Sequence, residues 1–230
     1  MQDLLRHTCI VVPAYNERQV IGRVLQELTS LSAIVVVVDD GSTDDTYGHC
    51  EPYGVVLMRH AINLGQGAAL QTGITFALRE LEPRFVVTFD ADGQHRADDI
   101  RHLVAALADG QYDVVLGTRF ARPEDMALIP WKRGMMLRAA VLFTRLSARL
   151  SVTDTHNGMR AFTAEAASHL SLHHAGMAHA SEILTIVRRD HLRWCEVPVT
   201  VDYNQYCLDK GQKNTGAFNI IWDLVTGRLR

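Results

Sequence analysis

Along its first half the chain alternates short, unbroken apolar runs with stretches whose apolar residues recur at helical spacing. Unbroken runs rich in Val and Ile read as strands buried on both faces, and the helical spacing reads as helices with one buried stripe. Cys9-Ile10-Val11-Val12, stopping at Pro13, is the first strand, and Asn16 is placed as the N-cap of a helix carrying Val20, Ile21, Val24, Leu25 and Leu28. Residues 33–38 form a second strand, running into Asp39-Asp40-Gly41-Ser42-Thr43-Asp44, and residues 55–58 form a third. Asn63-Leu64-Gly65-Gln66-Gly67 leads into a helix whose apolar positions are Ala69, Leu70, Ile74, Ala77 and Leu78. Residues 85–89 are the fourth strand. Asp98 or Asp99 opens the next helix, with Ile100, Leu103, Val104 and Leu107 facing inward and Gly110 closing it. Residues 112–116 make a fifth strand that enters Gly117-Thr118-Arg119.

This alternation predicts an α/β fold, an open, Rossmann-like, mostly parallel sheet flanked by helices on both faces. Ligands of such sheets bind beyond the carboxyl ends of the strands. Polar clusters fall at that edge four times, at residues 13–17, 39–44, 90–94 and 117–119. A dinucleotide fingerprint is absent, because the third glycine required after Gly65 and Gly67 is Leu70, and no phosphate-loop motif of the GxxxxGK[ST] type occurs. Beyond residue 120 the pattern changes. Arg122-Pro123-Glu124-Asp125 is a polar loop, and Trp131-Lys132-Arg133 leads into an apolar helix over residues 135–150 that carries Arg138, Arg145 and Arg149. Arginines on a greasy helix suit the headgroup level of a membrane, and equally a core helix with solvated charges. Residues 218–230 repeat the mixture with Phe218, Ile221, Trp222, Leu224 and Val225 beside Arg228 and Arg230.

Composition narrows the class. With 230 residues, 47% hydrophobic and 21% charged, the chain is an ordinary folding one, and its formal charge of -3 gives no reason to expect nucleic acid as a partner. Cys9, Cys50, Cys195 and Cys207 are scattered, which argues against a zinc site or a disulfide framework and for a reducing compartment. Residues 1–7 lack the apolar stretch of a signal peptide, and no segment approaches the ~18 consecutive apolar residues of a membrane span. The expectation is a cytoplasmic protein, soluble or peripheral.

The chemistry concentrates after the fourth strand, in Asp90-Ala91-Asp92-Gly93-Gln94. Two carboxylates one residue apart, released from strict alternation at a strand end, converge on one point. Hard oxygen ligands there suit Mg²⁺ or Mn²⁺, with Gln94 adding a neutral oxygen and a phosphate completing the shell. An Asp-Gly turn is the bland reading of the same residues. The 11 histidines, His173, His174 and His179 among them, fit no common zinc spacing and are read as surface or supporting groups.

Taken together, Val12-Pro13-Ala14-Tyr15-Asn16-Glu17, Val38-Asp39-Asp40-Gly41-Ser42-Thr43-Asp44, Asn63-Leu64-Gly65-Gln66-Gly67-Ala68, Phe89-Asp90-Ala91-Asp92-Gly93-Gln94-His95, Gly117-Thr118-Arg119-Phe120 and Asp154-Thr155-His156-Asn157-Gly158-Met159-Arg160-Ala161-Phe162 resemble the family 2 glycosyltransferases of GT-A fold. Within that family they look most like the polyprenyl- and dolichyl-phosphate sugar synthases. The resemblance implies a single domain over 1–230, with a nucleotide-sugar half in 1–119 and an acceptor half with amphipathic helices in 120–230. It implies inverting, metal-dependent transfer of a sugar from a UDP- or GDP-linked donor to a polyprenyl phosphate. It assigns Pro13, Tyr15 and Glu17 to the nucleoside pocket, Asp39 and Asp40 to base and ribose, Gly65 to the donor loop, and Asp90, Asp92 and Gln94 to the metal. Arg119 and Arg133 resemble the residues that hold the acceptor phosphate, and Lys210-Gly211-Gln212-Lys213 stands where a basic lid closes over the diphosphate. The base position falls near Glu182, which reads equally as a helix-start residue.

Departures from the family pattern are Gln66, where Lys is common, Arg96-Ala97 in place of a Pro pair, and Leu137 where a hydroxyl often follows the Arg matched to Arg133. The Arg-rich helix and the weak base signal favour a lipid phosphate over a saccharide acceptor. The rivals are transfer to a saccharide hydroxyl in cell-surface glycan assembly, a non-catalytic nucleotide-sugar-binding subunit, and a sugar-phosphate nucleotidyltransferase, whose Gly-rich basic loop after the first strand Pro13-Ala14-Tyr15-Asn16-Glu17 does not match. Access to a lipid acceptor calls for peripheral attachment at the inner face of the membrane through residues 135–150 and 218–230, or for a small membrane-protein partner.

Overall fold

A computed structural model describes residues 1–120, 150–155, 157–173 and 178–202. Its elements in chain order are α1 (Gln2–Arg6), β1 (Thr8–Ala14), α2 (Ile21–Thr29), β2 (Ile34–Asp39), α3 (Thr46–Cys50), β3 (Val56–Arg59), α4 (Gln66–Phe76, continued by a π turn over Ala77–Leu81), β4 (Phe85–Thr88), α5 (Asp99–Ala108), β5 (Val114–Thr118), β6 (Arg160–Thr163), α6 (Ala164–Ser168), α7 (His179–Arg189) and β7 (Trp194–Pro198). Among the described residues no helix is long and apolar enough to cross a membrane.

The strands form one seven-stranded sheet in the order β3-β2-β1-β4-β6-β5-β7. All pairs are parallel except those of β6, which runs antiparallel to both β4 and β5. The predicted mixed architecture, mostly parallel with helices on both faces, is what forms. Alternate residues of each strand feed two separate cores. Ile10, Val12, Val35, Val37 and Val87 pack with α2 and α5 through Val24, Leu25, Leu28, Ile100, Leu103 and Leu107. Cys9, Val11, Val36, Val38 and Val86 pack on the opposite face against Ala69, Leu70 and Ile74 of α4 and Ile183, Leu184 and Val187 of α7. Burying both faces explains why these strands read as continuous apolar runs.

Pro13 stands inside β1 without breaking it. Ala14 accepts from Asp40 N on the β2 side and Val11 accepts from Phe89 N on the β4 side, so alternation turns Pro13 toward β4. The last β4 pair is Val11↔Thr88, so the absent N–H of Pro13 costs no ladder bond.

One expectation needs correction. Asn16 does not cap α2, whose N-cap is Val20, four residues further on. Asn16 instead adopts φ 55, and its Oδ1 accepts from the backbone N–H of Thr43 at 2.9 Å and of Asp44 at 3.3 Å. Its short polar side chain is used to tie two loops together rather than to begin a helix. The helix expected over 135–150 and the segment 218–230 lie outside the described residues.

Candidate active site

β1 is flanked by β2 on one side and β4 on the other, so the chain leaves the sheet in opposite directions beyond their carboxyl ends. A crevice opens at such a switch point. The loops at residues 15–20, 40–45 and 89–98, which hold three of the predicted polar clusters, follow β1, β2 and β4 at that edge.

On the β2 side the loops are knitted together by buried polar contacts. Thr46 Oγ1 accepts from Glu17 N at 2.8 Å, Ser42 Oγ accepts from Asn16 N at 3.0 Å, and Glu17 itself is buried. Pro13 is buried beneath this wall, whereas Tyr15 stands 41% exposed at its rim. Asp39 is wholly buried. Its Oδ1 accepts from Ser42 N at 3.1 Å, and its Oδ2 lies 3.0 Å from Arg59 Nε without forming a well-aligned hydrogen bond. Arg59 also donates to Ser42 O and lies 5.2 Å over the Tyr47 ring.

Asp40 is engaged differently. Its carboxylate accepts from Leu64 N at 3.0 Å and Gly65 N at 2.7 Å, and stands 2.7 Å from His60 Nδ1, whose other nitrogen is 3.0 Å from Thr72 Oγ1 on α4. The structure thus gives Asp40 the task of fastening the glycine loop, with Gly65 as the residue before α4. Sequence reasoning passed over His60, which shows its role only when the loop is folded back.

On the β4 side Asp90 and Asp92 lie within electrostatic reach of each other. Asp90 is partly buried, with Gln66 donating to Oδ1 at 2.9 Å and His95 Nε2 lying 3.6 Å from Oδ2. Burial opposes its charge, but His95, His179 and Arg160 outweigh that and hold the Asp90 carboxyl below the ordinary range. Gly158 abuts the same carboxylate so closely that any side-chain carbon at 158 would overlap it. Asp92 accepts from Gln94 N at 3.0 Å. Its pKa is pushed up to about 6, first by burial and then by the charges of Asp90 and Glu17, against the hydrogen bond from Gln94 and the pull of His95. A buried carboxylate pressed by the charge of a second one beside it fits a divalent cation. Among the described residues no group of three or more His, Cys, Asp or Glu side chains gathers to hold a metal, so an ion here would draw further ligands from outside them, a phosphate included.

A cavity of about 340 Å³ lies beside this loop, lined by Arg23, Glu27, Gly93, His95 and Arg96 among others. It includes neither Asp90 nor Asp92, and we place the site at the carboxylates.

Arg119 is buried at the end of β5, its Nε donating to Asp154 Oδ2 at 2.6 Å. Arg160, which sequence reasoning quoted without a role, is 4% exposed and donates to Asn157 O, Thr155 O and Ala180 O. Burial lowers its pKa to about 10, against the pull of Asp90 and Asp154. Glu182 lies in the first turn of α7, and both its oxygens accept from His173 N, at 3.0 and 3.1 Å. His179 is buried within electrostatic reach of Asp90. Arg133, Lys210 and His174 lie outside the described residues.

Comparison with known proteins closes the argument. Residues 9–170 match the family described as "Glycosyl transferase family 2". The chain is 33% identical over 223 residues to an uncharacterised protein of Methanocaldococcus jannaschii, covering 96% of this chain and 91% of that one. It is 30% identical over 236 residues, 94% of each chain, to the UDP-N-acetylglucosamine--dolichyl-phosphate N-acetylglucosaminyltransferase of Methanococcus voltae. It is 28% identical to the polyprenol monophosphomannose synthase of Mycolicibacterium smegmatis, over 73% of this chain and 65% of that one. In fold it is similar to the glucosyl-3-phosphoglycerate synthase of Mycobacterium tuberculosis, with a TM-score of 0.72, 20% identity, and coverage of 97% and 82% of the two chains. A GT-A sheet bearing an acidic pair at its switch point, matched across most of its length by these relatives, belongs to glycosyl transferase family 2 and is a glycosyltransferase.

Proposed function

We propose that this glycosyltransferase moves a hexose, with inversion and with help from Mg²⁺ or Mn²⁺, from a nucleotide-sugar to the phosphate of a polyprenyl or dolichyl lipid. The observation that carries the metal-assisted part is the acidic pair, in which Asp92 is driven up to about 6 by burial and by Asp90. The Methanococcus voltae relative, named for a UDP-sugar donor and a dolichyl-phosphate acceptor, supports the substrate classes and makes a UDP-sugar the first donor to test. Solved structures of the Mycobacterium tuberculosis neighbour with Mn²⁺ and UDP support the cofactor.

In this reading Asp39 accepts from the base or the ribose, and Tyr15 stacks at the rim. Glu17, buried between these loops and Asp92, lines the nucleoside pocket beside Pro13. Asp90, Asp92 and Gln94 would hold the divalent ion, which when bound acts as a Lewis acid on the negative charge of the departing diphosphate. Arg119, fixed by Asp154, presents a cation to the acceptor phosphate. A phosphate oxygen is already anionic near neutral pH and needs no strong base. The engagement of Glu182 with His173 N supports that acceptor over a saccharide hydroxyl. Attachment at the inner face of the membrane, through residues 135–150 and 218–230 or through a small membrane protein, belongs to the same proposal.

Radiolabelled UDP-N-acetylglucosamine or GDP-mannose, incubated with the protein, Mn²⁺ and dolichyl phosphate, tests it. Label entering an organic-extractable, mild-acid-labile product, and lost in Asp92→Ala, is the expected result. Label passing only to a water-soluble saccharide would overturn the acceptor. Flotation with anionic liposomes at low salt tests direct membrane attachment, and its absence would leave only the partner version.

A further inference from the structure

Gln66 is the first residue of α4, and its side chain reaches a residue 24 positions away to donate to Asp90 Oδ1 at 2.9 Å. We infer that Gln66 is a positioning residue for the acidic pair, orienting Asp90 toward the metal through a neutral donor that leaves its negative charge intact. The inference rests on the metal reading proposed above.

Three observations carry it. First, the place from which Gln66 reaches out is itself fixed, because Asp40 accepts from Leu64 N and Gly65 N immediately before it, and His60 bridges Asp40 to Thr72 on the same helix. An amide mounted on so anchored a helix start holds its hydrogen bond at little entropic cost. Secondly, Asp90 is bounded on its other sides, by Gly158 pressed against the carboxylate and by His95 at 3.6 Å from Oδ2. Gln66 therefore supplies the direct hydrogen bond to Oδ1, while His95 faces Oδ2. Thirdly, Asp90 already lies within the field of His95, His179 and Arg160. A cation in direct contact with Oδ1 would compete with a metal for the same oxygen. An amide supplies a donor without that competition.

The test compares Gln66→Met, which keeps length and packing but removes the donor, with Gln66→Lys, which keeps a donor and adds a charge. The Mn²⁺ dissociation constant is read from the electron paramagnetic resonance signal of free Mn²⁺, with and without UDP, and the metal-free melting temperature is recorded alongside. Gln66→Met should weaken Mn²⁺ binding roughly three- to tenfold, the size of one charge-assisted hydrogen bond partly replaced by water. Gln66→Lys should weaken it more than Gln66→Met, with the metal-free melting temperature of both near that of the parent. A purely structural part for Gln66 predicts the reverse, a lowered melting temperature with Mn²⁺ affinity unchanged, and that result would overturn the inference. Asp92→Asn is the reference. If it abolishes Mn²⁺ binding while both Gln66 variants bind like the parent, the inference about Gln66 fails alone. If Asp92→Asn also binds like the parent, the metal reading fails and takes the inference with it.

Discussion

At the scale of single residues, the site is built from groups whose stability and function pull apart. Asp92 has a folded-state pKa raised from 3.8 to about 6. Between those values the folded chain binds a proton that the unfolded chain has released, so this group's contribution to stability is full below pH 3.8 and is lost as pH rises through 6. Asp92→Asn keeps an acceptor for Gln94 N and removes the charge. The metal-free variant should therefore be more stable than the parent at pH 7.5, by on the order of 1–2 kcal/mol once coupling to Asp90 is discounted, and the gain should vanish near pH 4. Thermal melts across that range check it, and saturating Mn²⁺ should reverse the ranking by stabilising the parent alone. Gly158 makes the complementary case. A methyl group there has no room beside the Asp90 carboxylate, so Gly158→Ala should cost about 1–3 kcal/mol of stability and lose Mn²⁺ binding together. Denaturant unfolding with and without Mn²⁺ separates the two effects.

At the scale of elements, the edge strand β7 is linked to Arg119 through the segment at residues 153–154. Glu196 on β7 accepts from Thr153 N at 2.7 Å, Thr153 Oγ1 at 3.0 Å and Asp154 N at 3.3 Å, and Asp154 in turn holds Arg119. Glu196→Ala should release the 153–154 segment, lower stability by about 1–3 kcal/mol through the unpaired N–H groups it leaves, and raise the KM for the acceptor more than that for the donor. Steady-state kinetics with each substrate varied in turn would show this split. The same elements mark where the sequence could be read and where it could not. Strands β1, β2, β4 and β5 announce themselves because burial on both faces leaves unbroken apolar runs, and Asp90, Asp92, Asp39 and Arg119 stand out as candidates because each lies in a polar cluster at such a run's end. β6 is short and begins at a buried arginine, and β7 is interrupted by Glu196 and ends at Pro198, so neither carries the pattern. Gln66, His60, Asp154 and Arg160 owe their parts to partners brought near by folding, and no spacing along the chain encodes those contacts.

At the scale of the whole molecule, the division into a donor half before residue 119 and an acceptor half after it is not a division of the sheet. β6, from the second half, lies between β4 and β5 of the first, with Phe85↔Thr163 to Thr88↔Arg160 on one side and Val114↔Phe162 to Leu116↔Arg160 on the other. Without β6, β4 and β5 share no ladder, because they are not neighbours in the strand order. Their inner edges would present unpaired backbone groups, and Val86 and Val114 would lose Phe162 from the core they share. The acidic loop after β4 would also lose Gly158, which abuts Asp90, and Arg160, which sustains its charge. A fragment of residues 1–119 should therefore fail to unfold cooperatively in urea and should expose apolar surface to a hydrophobic dye, despite containing Asp90, Asp92 and the nucleoside loops. The full chain should unfold in one transition and bind Mn²⁺ with UDP. A fragment that folded cooperatively and bound Mn²⁺ like the full chain would show that the donor site stands without β6.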